Sequence, residues 1–160
     1  MKVLVVCQHY YPENFQITDI CEALAKRGHQ VTILTGLPNY PQGEIFDGYQ
    51  HGEHRHEMRN GVEIIRAKEF PRHKGLVHLG INYISFCIFA SLKALSLKRD
   101  FDVIYSYELS PILMVVPAIL LKHLTGKRIF LYCCDLWPES CETFISPHSL
   151  FYKVIKFFST

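Results

Sequence analysis

Two loops in this sequence carry carboxylates, amides and aromatic rings directly after short apolar runs. The first loop, residues 8–14 (QHYYPEN), follows the run 2–7, and the last loop, residues 135–140 (DLWPES), follows the run 129–134. Short continuous apolar runs are typical of buried parallel strands, and open α/β sheets bind ligands beyond the carboxyl ends of such strands. Carboxylates hydrogen-bond hydroxyl groups, and flat rings pack on apolar faces. The two loops therefore predict a cleft suited to a sugar.

The last loop offers the carboxylate closest to this predicted cleft. Asp135 comes directly after an apolar strand, so its side chain is expected to face the cleft. Trp137, followed by a proline, would form a rigid apolar wall beside Glu139. The alternative for Asp135 is an ordinary cap of a helix or turn.

The first loop places His9, Glu13 and Asn14 just before a predicted helix. Backbone N–H groups at a helix N-terminus favour anions, which would make this a binding edge. The alternative is that Asn14 only caps the helix and that Glu13 is solvated. A middle loop, residues 35–41 (TGLPNYP), follows the second predicted strand and is expected at the same edge of the sheet.

Several common site motifs are missing from the sequence. It contains no Walker loop, no Gly-x-Gly-x-x-Gly after the first apolar run and no Gly-x-Ser-x-Gly. The second strand ends at Thr35-Gly36, where a dinucleotide fold needs an acid for the ribose. His51, His54 and His56 have a spacing that permits metal binding, but no carboxylate or thiol pattern completes such a site. We therefore expect no metal and no cofactor.

Length and composition indicate one ordered globular domain. The chain has 160 residues, of which 49% are hydrophobic and 20% charged, and its net charge of +2 gives no general attraction to nucleic acid. Most of the six cysteines lie in apolar runs, which is typical of buried thiols in a reducing cytoplasm. The sequence opens with a strand-like run rather than a signal sequence. We therefore expect a cytoplasmic protein with no nucleic-acid partner.

The order of elements predicts an α/β domain with a parallel sheet, helices on both faces and an inserted or edge hairpin. Asn14 and Gly28 are expected to bound the first helix, and Asn60-Gly61 to form the hairpin turn. Ser110-Pro111 is expected to open a later helix, which Pro117 would kink or restart. The predicted strands are 2–7, 30–35, 54–59, 62–68, 102–107 and 128–134, and the predicted helices are 15–27, 76–98, 110–126 and 150–158.

Two stretches have more than one interpretation. The predicted helix 76–98 has no acid, lysine or arginine before residue 93. A largely buried helix is the favoured interpretation, and a membrane span or a helix at a membrane surface are the alternatives. The favoured interpretation of the basic, histidine-rich stretch 51–74 is a solvated face of the hairpin. The alternative interpretation is a patch that binds acidic lipid head groups or phosphates.

Three motifs occur in order along the chain: Tyr11-Pro12-Glu13-Asn14, residues 35–41 with Gly43 and Gly48-Tyr49, and residues 135–140. Together they resemble the N-terminal domain of family-four glycosyltransferases, and most of all a bacterial branch that builds capsule, colanic-acid and O-antigen units and includes fucosamine transferases. The resemblance implies half of a GT-B fold, in which a Rossmann-like domain holds the acceptor and a second domain binds the nucleotide sugar. It also implies a retaining reaction, a lipid-linked saccharide acceptor and a peripheral location on the inner face of the cell membrane.

The resemblance implies a role for each matching residue. Asp135 would be the catalytic carboxylate, which orients the reacting acceptor hydroxyl or takes its proton. Glu13 and Asn14 would line the same cleft, and Asn39 and Tyr40 would contact the acceptor or help to close the two domains. The substrate-binding residues predicted in total are His9, Glu13, Asn14, Asn39, Tyr40, Trp137 and Glu139.

The sequence also departs from the family pattern. The first loop lacks the Gly-Gly pair of many members, which weakens the case for backbone contact with the donor diphosphate. Residues 1–160 are expected to stop short of the last strand of an acceptor-side domain and to contain no donor domain. We therefore expect an incomplete acceptor-side domain that is inactive alone. The alternative is a non-catalytic subunit, or a membrane-surface or sugar-binding module, that works with a separate donor-domain chain.

Overall fold

The computed structural model describes residues 1–135, so the predicted helix 150–158 and the side chains of Trp137 and Glu139 lie outside the described residues. The described residues form six strands, three α-helices and one short 3-10 helix. In chain order they are β1 Lys2–Val6, α1 Gln16–Lys26, β2 Gln30–Thr35, β3 His56–Arg59, β4 Val62–Arg66, α2 Leu76–Leu95, β5 Val103–Glu108, the 3-10 helix Ile112–Val115, α3 Val116–Thr125 and β6 Arg128–Cys133.

The six strands form one sheet in the order β3-β4-β2-β1-β5-β6. All neighbouring pairs are parallel except β3 and β4, which form an antiparallel hairpin. Asn60 and Gly61 turn this hairpin with φ angles of 47° and 82°, the positive values that a tight type I′ turn requires. The predicted hairpin is confirmed, and it lies at one edge of the sheet, where β4 joins β2.

Helices cover both faces of the sheet, as predicted. On one face α1 packs through Ile17 and Cys21 against Val5 and its neighbours. On the other face α2 and α3 pack against Leu4, Val6 and the rest of a second core. The central strand β1 is therefore buried on both sides, which explains its uninterrupted apolar sequence.

The ends of the helices correct two predictions. Phe15, with an extended backbone, precedes α1, no side chain caps the helix, and Asn14 is exposed. The predicted Asn14 cap is therefore wrong, although Gly28 ends the helix region with a φ of 84°. Ser110 does not open an α-helix, because the 3-10 helix with Pro111 at its cap comes first. Pro117 lies in the first turn of α3 and so restarts the helix, as expected.

Strand β6 forms where it was predicted, but the prediction that it is buried is wrong. Within residues 1–135 it is the outermost strand beside β5, and Phe130 and Tyr132 are 58% and 42% exposed. Cys133 and Cys134 are likewise exposed. An apolar run determines a strand, whereas the position of that strand in the sheet determines its burial.

Helix α2 is also less buried than predicted. It buries one face through Phe86, Ala90 and Ala94, but its other face is an exposed apolar stripe. We define the α2 stripe as Val77, Ile81, Ile84, Ile88, Leu92 and Leu95, which are 45–74% exposed. Their spacing of three or four residues places them on one side of the helix.

The basic stretch 51–74 is not only a solvated hairpin face. The Arg66 guanidinium is buried, and it donates hydrogen bonds to the Glu57 carboxylate at 2.6 Å and to the backbone oxygen of Tyr11 at 2.8 Å. Arg66 therefore ties the hairpin to the first loop.

Candidate functional site at the carboxyl edge of the sheet

The carboxylate of Glu13 joins the first loop to the middle loop. Glu13 is 4% exposed, and its Oε1 accepts hydrogen bonds from the backbone nitrogens of Asn39 at 2.9 Å and Tyr40 at 2.7 Å. Its Oε2 accepts from the backbone nitrogen of Tyr10 at 3.2 Å. The interpretation of Glu13 as a solvated residue is therefore wrong, because its charge organises the loops from within.

The same carboxylate orients His9. Nδ1 of His9 lies 3.1 Å from both oxygens of Glu13, which favours the tautomer with the hydrogen on Nδ1 and leaves Nε2 as the acceptor. The His9 ring stacks on Phe15 with centroids 5.2 Å apart, and the Tyr40 ring lies 5.8 Å from it. The first and middle loops thus form an aromatic cluster around an oriented imidazole.

A second buried carboxyl group, Glu69, lies beneath the middle loop. Glu69 is 6% exposed; its Oε1 accepts from Nδ2 of Asn39, and its Oε2 accepts from Nε2 of Gln8 at 3.3 Å. Burial first, and the negative charge of Glu13 second, raise the pKa of Glu69 well above its usual range. Asn39 is therefore held between two carboxyl groups, by its backbone on one side and by its side chain on the other.

Polar residues of α2 complete this network. Asn82 accepts from Nε2 of Gln8 at 2.8 Å and donates to the backbone oxygen of Phe70 at 2.7 Å. The Ser85 hydroxyl accepts from the backbone nitrogen of Phe70 at 2.9 Å. The sequence held a signal for these contacts, since Asn82 and Ser85 are polar residues within an apolar helix. Without the fold, the two residues indicated only a break in the apolar pattern of that helix.

Asp135 lies beyond β6, beside a buried acid that the sequence analysis missed. Glu108, at the end of β5, is 1% exposed, and its Oε2 accepts from Sγ of Cys133 at 2.9 Å. Burial raises the pKa of Glu108, the hydrogen bond from Cys133 opposes this rise, and the charge of Asp135 adds to it. Two carboxyl groups therefore lie close together where β5 and β6 end.

Tyr83 of α2 lies where the charge of Asp135 and the middle loop both influence it. Burial is the main reason that the pKa of Tyr83 is raised; Arg72 opposes the rise, while Asp135 and Tyr40 add to it. The Arg72 guanidinium lies 5.3 Å from the centroid of the Tyr40 ring. The charges of Asp135 and Arg72 and the ring of Tyr40 therefore all influence one tyrosine at this edge of the sheet.

The structure therefore brings together most of the site residues that it describes. His9, Glu13, Asn39 and Tyr40 form one connected group, and Asp135 follows β6 at the same edge of the sheet, where its charge helps to raise the pKa of Tyr83. Within residues 1–135 no three histidine, cysteine or acidic side chains converge as metal ligands. His54 precedes β3 and His56 is its first residue, and the two rings pair with Glu57 and Glu63, respectively.

Comparison with known proteins identifies the family of the chain. Residues 3–148 match the family described as Glycosyl transferase 4-like domain. The chain belongs to this family. The glycosyl transferase 4-like match begins at the second residue of β1 and runs through all the later described elements.

A curated relative agrees with the family. The chain is 30% identical over 145 residues to an Escherichia coli K12 protein that is named as a colanic acid biosynthesis glycosyl transferase, WcaI. The match covers 84% of this chain but 34% of the relative. This glycosyl transferase 4-like chain therefore spans about a third of the length of the relative.

Proposed function

We propose that the chain is the acceptor-side domain of a retaining glycosyltransferase in bacterial surface polysaccharide synthesis, of the kind that makes colanic acid, capsule or O-antigen. A donor domain, in the same protein or in a separate chain, supplies a nucleotide sugar, and the acceptor is a lipid-linked saccharide. The family match and the name of the relative support this proposal. Neither a metal nor a cofactor has a part in it.

The observation that carries the proposal is the group of loops held by Glu13. Because Glu13 binds the backbone of Asn39 and Tyr40, the aromatic rings and the amide are already in place before an acceptor arrives. Such preorganisation lowers the entropic cost of binding. Rings of this kind pack on the apolar face of a sugar, while amide, imidazole and carboxylate groups bind its hydroxyls.

Asp135 is the proposed catalytic residue. Its carboxylate follows β6 at the carboxyl edge, and its charge helps to raise the pKa of Tyr83. In the proposed reaction it accepts a hydrogen bond from the attacking acceptor hydroxyl and orients it towards the donor sugar. Asn14, Trp137 and Glu139 remain proposed contacts of the same acceptor.

The exposed α2 stripe supports a peripheral location on the inner membrane face. Helix α2 is long and apolar enough to cross a membrane, with a mean hydropathy of 1.4, and 22% of its apolar window is buried. One face of α2, however, packs on the sheet through Phe86 and Ala90 and binds the site through Asn82. A helix fixed in this way lies along a membrane surface rather than crossing it.

A transfer assay with a purified donor domain and a lipid-linked saccharide tests the proposal. The isolated chain should give no transfer, whereas the chain combined with its donor domain should transfer sugar. In the complete enzyme, Asp135→Asn should lower kcat by roughly 10²–10⁴-fold with little change in acceptor binding. The matched control is Asp47→Asn, an exposed acid in the long loop, which should leave kcat unchanged.

The proposal is overturned by efficient transfer from the isolated chain, or by full activity of Asp135→Asn. Acceptor binding without any transfer in the presence of every donor domain tested would favour the alternative of a non-catalytic sugar-binding module.

A further inference from the structure

A cleft of about 760 Å³ lies away from the sugar-binding loops, between residues 50–52, the end of the hairpin and the C-terminal half of α2. Arg55, Lys68 and Lys93 line it together with Phe89 and Leu92. None of the lining residues within the described part of the chain is acidic. A second cavity of about 590 Å³ differs, because Glu63 and Asp100 are among its lining residues.

Of the four arginine and lysine side chains that line this cleft, only Arg66 pairs with a described carboxylate, that of Glu57 at 2.6 Å. Among residues 1–135, no carboxylate forms an ion pair with Arg55, Lys68 or Lys93. Nη1 of Arg55 donates to the backbone oxygen of Ala67 at 3.2 Å, which leaves its other donors for a ligand. Burial first, and the neighbouring charge of Arg66 second, lower the pKa of Arg55, while the charges of Glu53 and Glu69 oppose this change.

The apolar wall of the cleft is continuous with the α2 stripe. Leu92 lines the cleft and also belongs to the stripe, where it is 57% exposed. Phe89, half-buried, lies beside it on the same helix. Cations on one side and an exposed hydrocarbon surface on the other suit a molecule with an anionic head and an apolar tail.

We propose that this cleft binds the phosphate group of an anionic membrane phospholipid, whose chains lie along Leu92 and the α2 stripe. The inference rests on the membrane location proposed above, but not on transferase activity. It adds a site for a lipid head group that is separate from the acceptor cleft, and it fixes which side of the domain meets the membrane. Because Lys68 and Lys93 are exposed and lack internal carboxylate partners among the described residues, they are free to contact lipid phosphate.

Vesicle flotation with the full 160-residue chain tests this site. The vesicles contain phosphatidylcholine alone or phosphatidylcholine with phosphatidylglycerol. The double variant Lys68→Gln, Lys93→Gln should lose affinity for the anionic vesicles, by on the order of fivefold for each lysine. The control Lys26→Gln, Arg27→Gln removes the same charge from the end of α1, on the opposite face of the sheet, and should lose less than about twofold.

Two further measurements distinguish a membrane phospholipid from free phosphate as the ligand. Ile88→Ser should weaken binding to both kinds of vesicle, since it removes apolar surface from the α2 stripe without removing charge. Inorganic phosphate, followed by the NMR signal of the Gly52 amide, should bind far more weakly than the vesicles.

Equal losses in the cleft variant and the α1 control would overturn the proposal, because they would show general charge attraction. Tight binding of inorganic phosphate with no added affinity for anionic vesicles would also overturn it, in favour of a soluble phosphate ligand. Vesicle binding by a chain whose complete enzyme fails to transfer sugar would support the lipid site while refuting the proposed function.

Discussion

The Glu13 carboxylate lies 2.9 Å from the backbone nitrogen of Asn39, a residue 26 positions further along the chain. This hydrogen bond connects the loop after β1 with the loop after β2, so two separate segments behave as one wall of the cleft. Because the carboxylate is buried and charged, each hydrogen bond that it accepts is stronger than a neutral one. The geometry of the acceptor side therefore depends on a residue that does not need to touch the acceptor.

Removal of the Glu13 carboxylate should destabilise the domain. Glu13→Ala leaves the backbone N–H groups of Tyr10, Asn39 and Tyr40 without their acceptor, which should lower the free energy of unfolding by roughly 2–4 kcal/mol. Denaturant unfolding measures this loss. The control Glu44→Ala removes an exposed carboxylate that pairs with His73 and should cost below about 1 kcal/mol; equal losses in the two variants would contradict the role of Glu13.

Glu69 should make stability fall as the pH rises. Its folded pKa is raised above the unfolded value of about 4.3, so between these two values the folded state holds a proton that the unfolded state has released. The unfolded state then binds fewer protons, and stability decreases as the pH rises through this window. The neutral variant Glu69→Gln should therefore gain stability relative to the wild type between about pH 4 and pH 8. Parallel unfolding profiles for the two proteins across that range would contradict the prediction.

Gly36 should tolerate no side chain, for reasons of space. A Cβ at this position would lie 2.7 Å from Cδ of Glu69 and 3.0 Å from the backbone oxygen of Gln8. Gly36→Ala should therefore cost roughly 1–3 kcal/mol. Gly80→Ala is the matched control, because no described residue lies within 4 Å of its added Cβ in the N-terminal half of α2, and it should raise stability by roughly 0.5–1 kcal/mol. Thermal or denaturant unfolding of both variants shows whether the signs are opposite.

Cys133 should react slowly despite its exposure. Its hydrogen bond to Glu108 is the main cause that raises its pKa to about 11, so little reactive thiolate is present at pH 8. Glu108→Gln should lower that pKa and speed alkylation of Cys133 by about tenfold or more. Mass spectrometry of the alkylated peptides separates Cys133 from Cys134, which serves as the internal reference. An unchanged rate at Cys133 would show that Glu108 does not control the thiol.

Much of the fold could be predicted because it rests on local patterns. The apolar runs gave β1 and β2 within a residue of their ends, and Asn60-Gly61 gave the hairpin, since only a few residues accept positive φ. The burial of β6 and α2 could not be predicted in this way. Burial depends on which elements lie beside them, and that is a property of the whole sheet.

The candidate site, like the fold, could be predicted from the sequence only in part. The residues His9, Glu13, Asn39 and Tyr40 were predicted as site residues from their types and from the family resemblance. The hydrogen bonds by which the Glu13 carboxylate holds the middle loop were not predicted. Glu69 was missed because it lies among the exposed charges of the basic stretch. In such a stretch, the sequence alone does not distinguish a buried glutamate from a solvated one.

The sequence by itself determined the alternation of strands and helices, the edge at which the polar loops gather and the family to which the chain is similar, because these depend on residue type and local spacing. Tertiary structure alone decided that Glu13 and Glu69 hold Asn39 between them, that the charge of Asp135 helps to raise the pKa of Tyr83, and that the α2 stripe faces outward beside a basic cleft. These relationships join residues far apart in the chain, and their charges and burial arise only when the sheet brings those residues together.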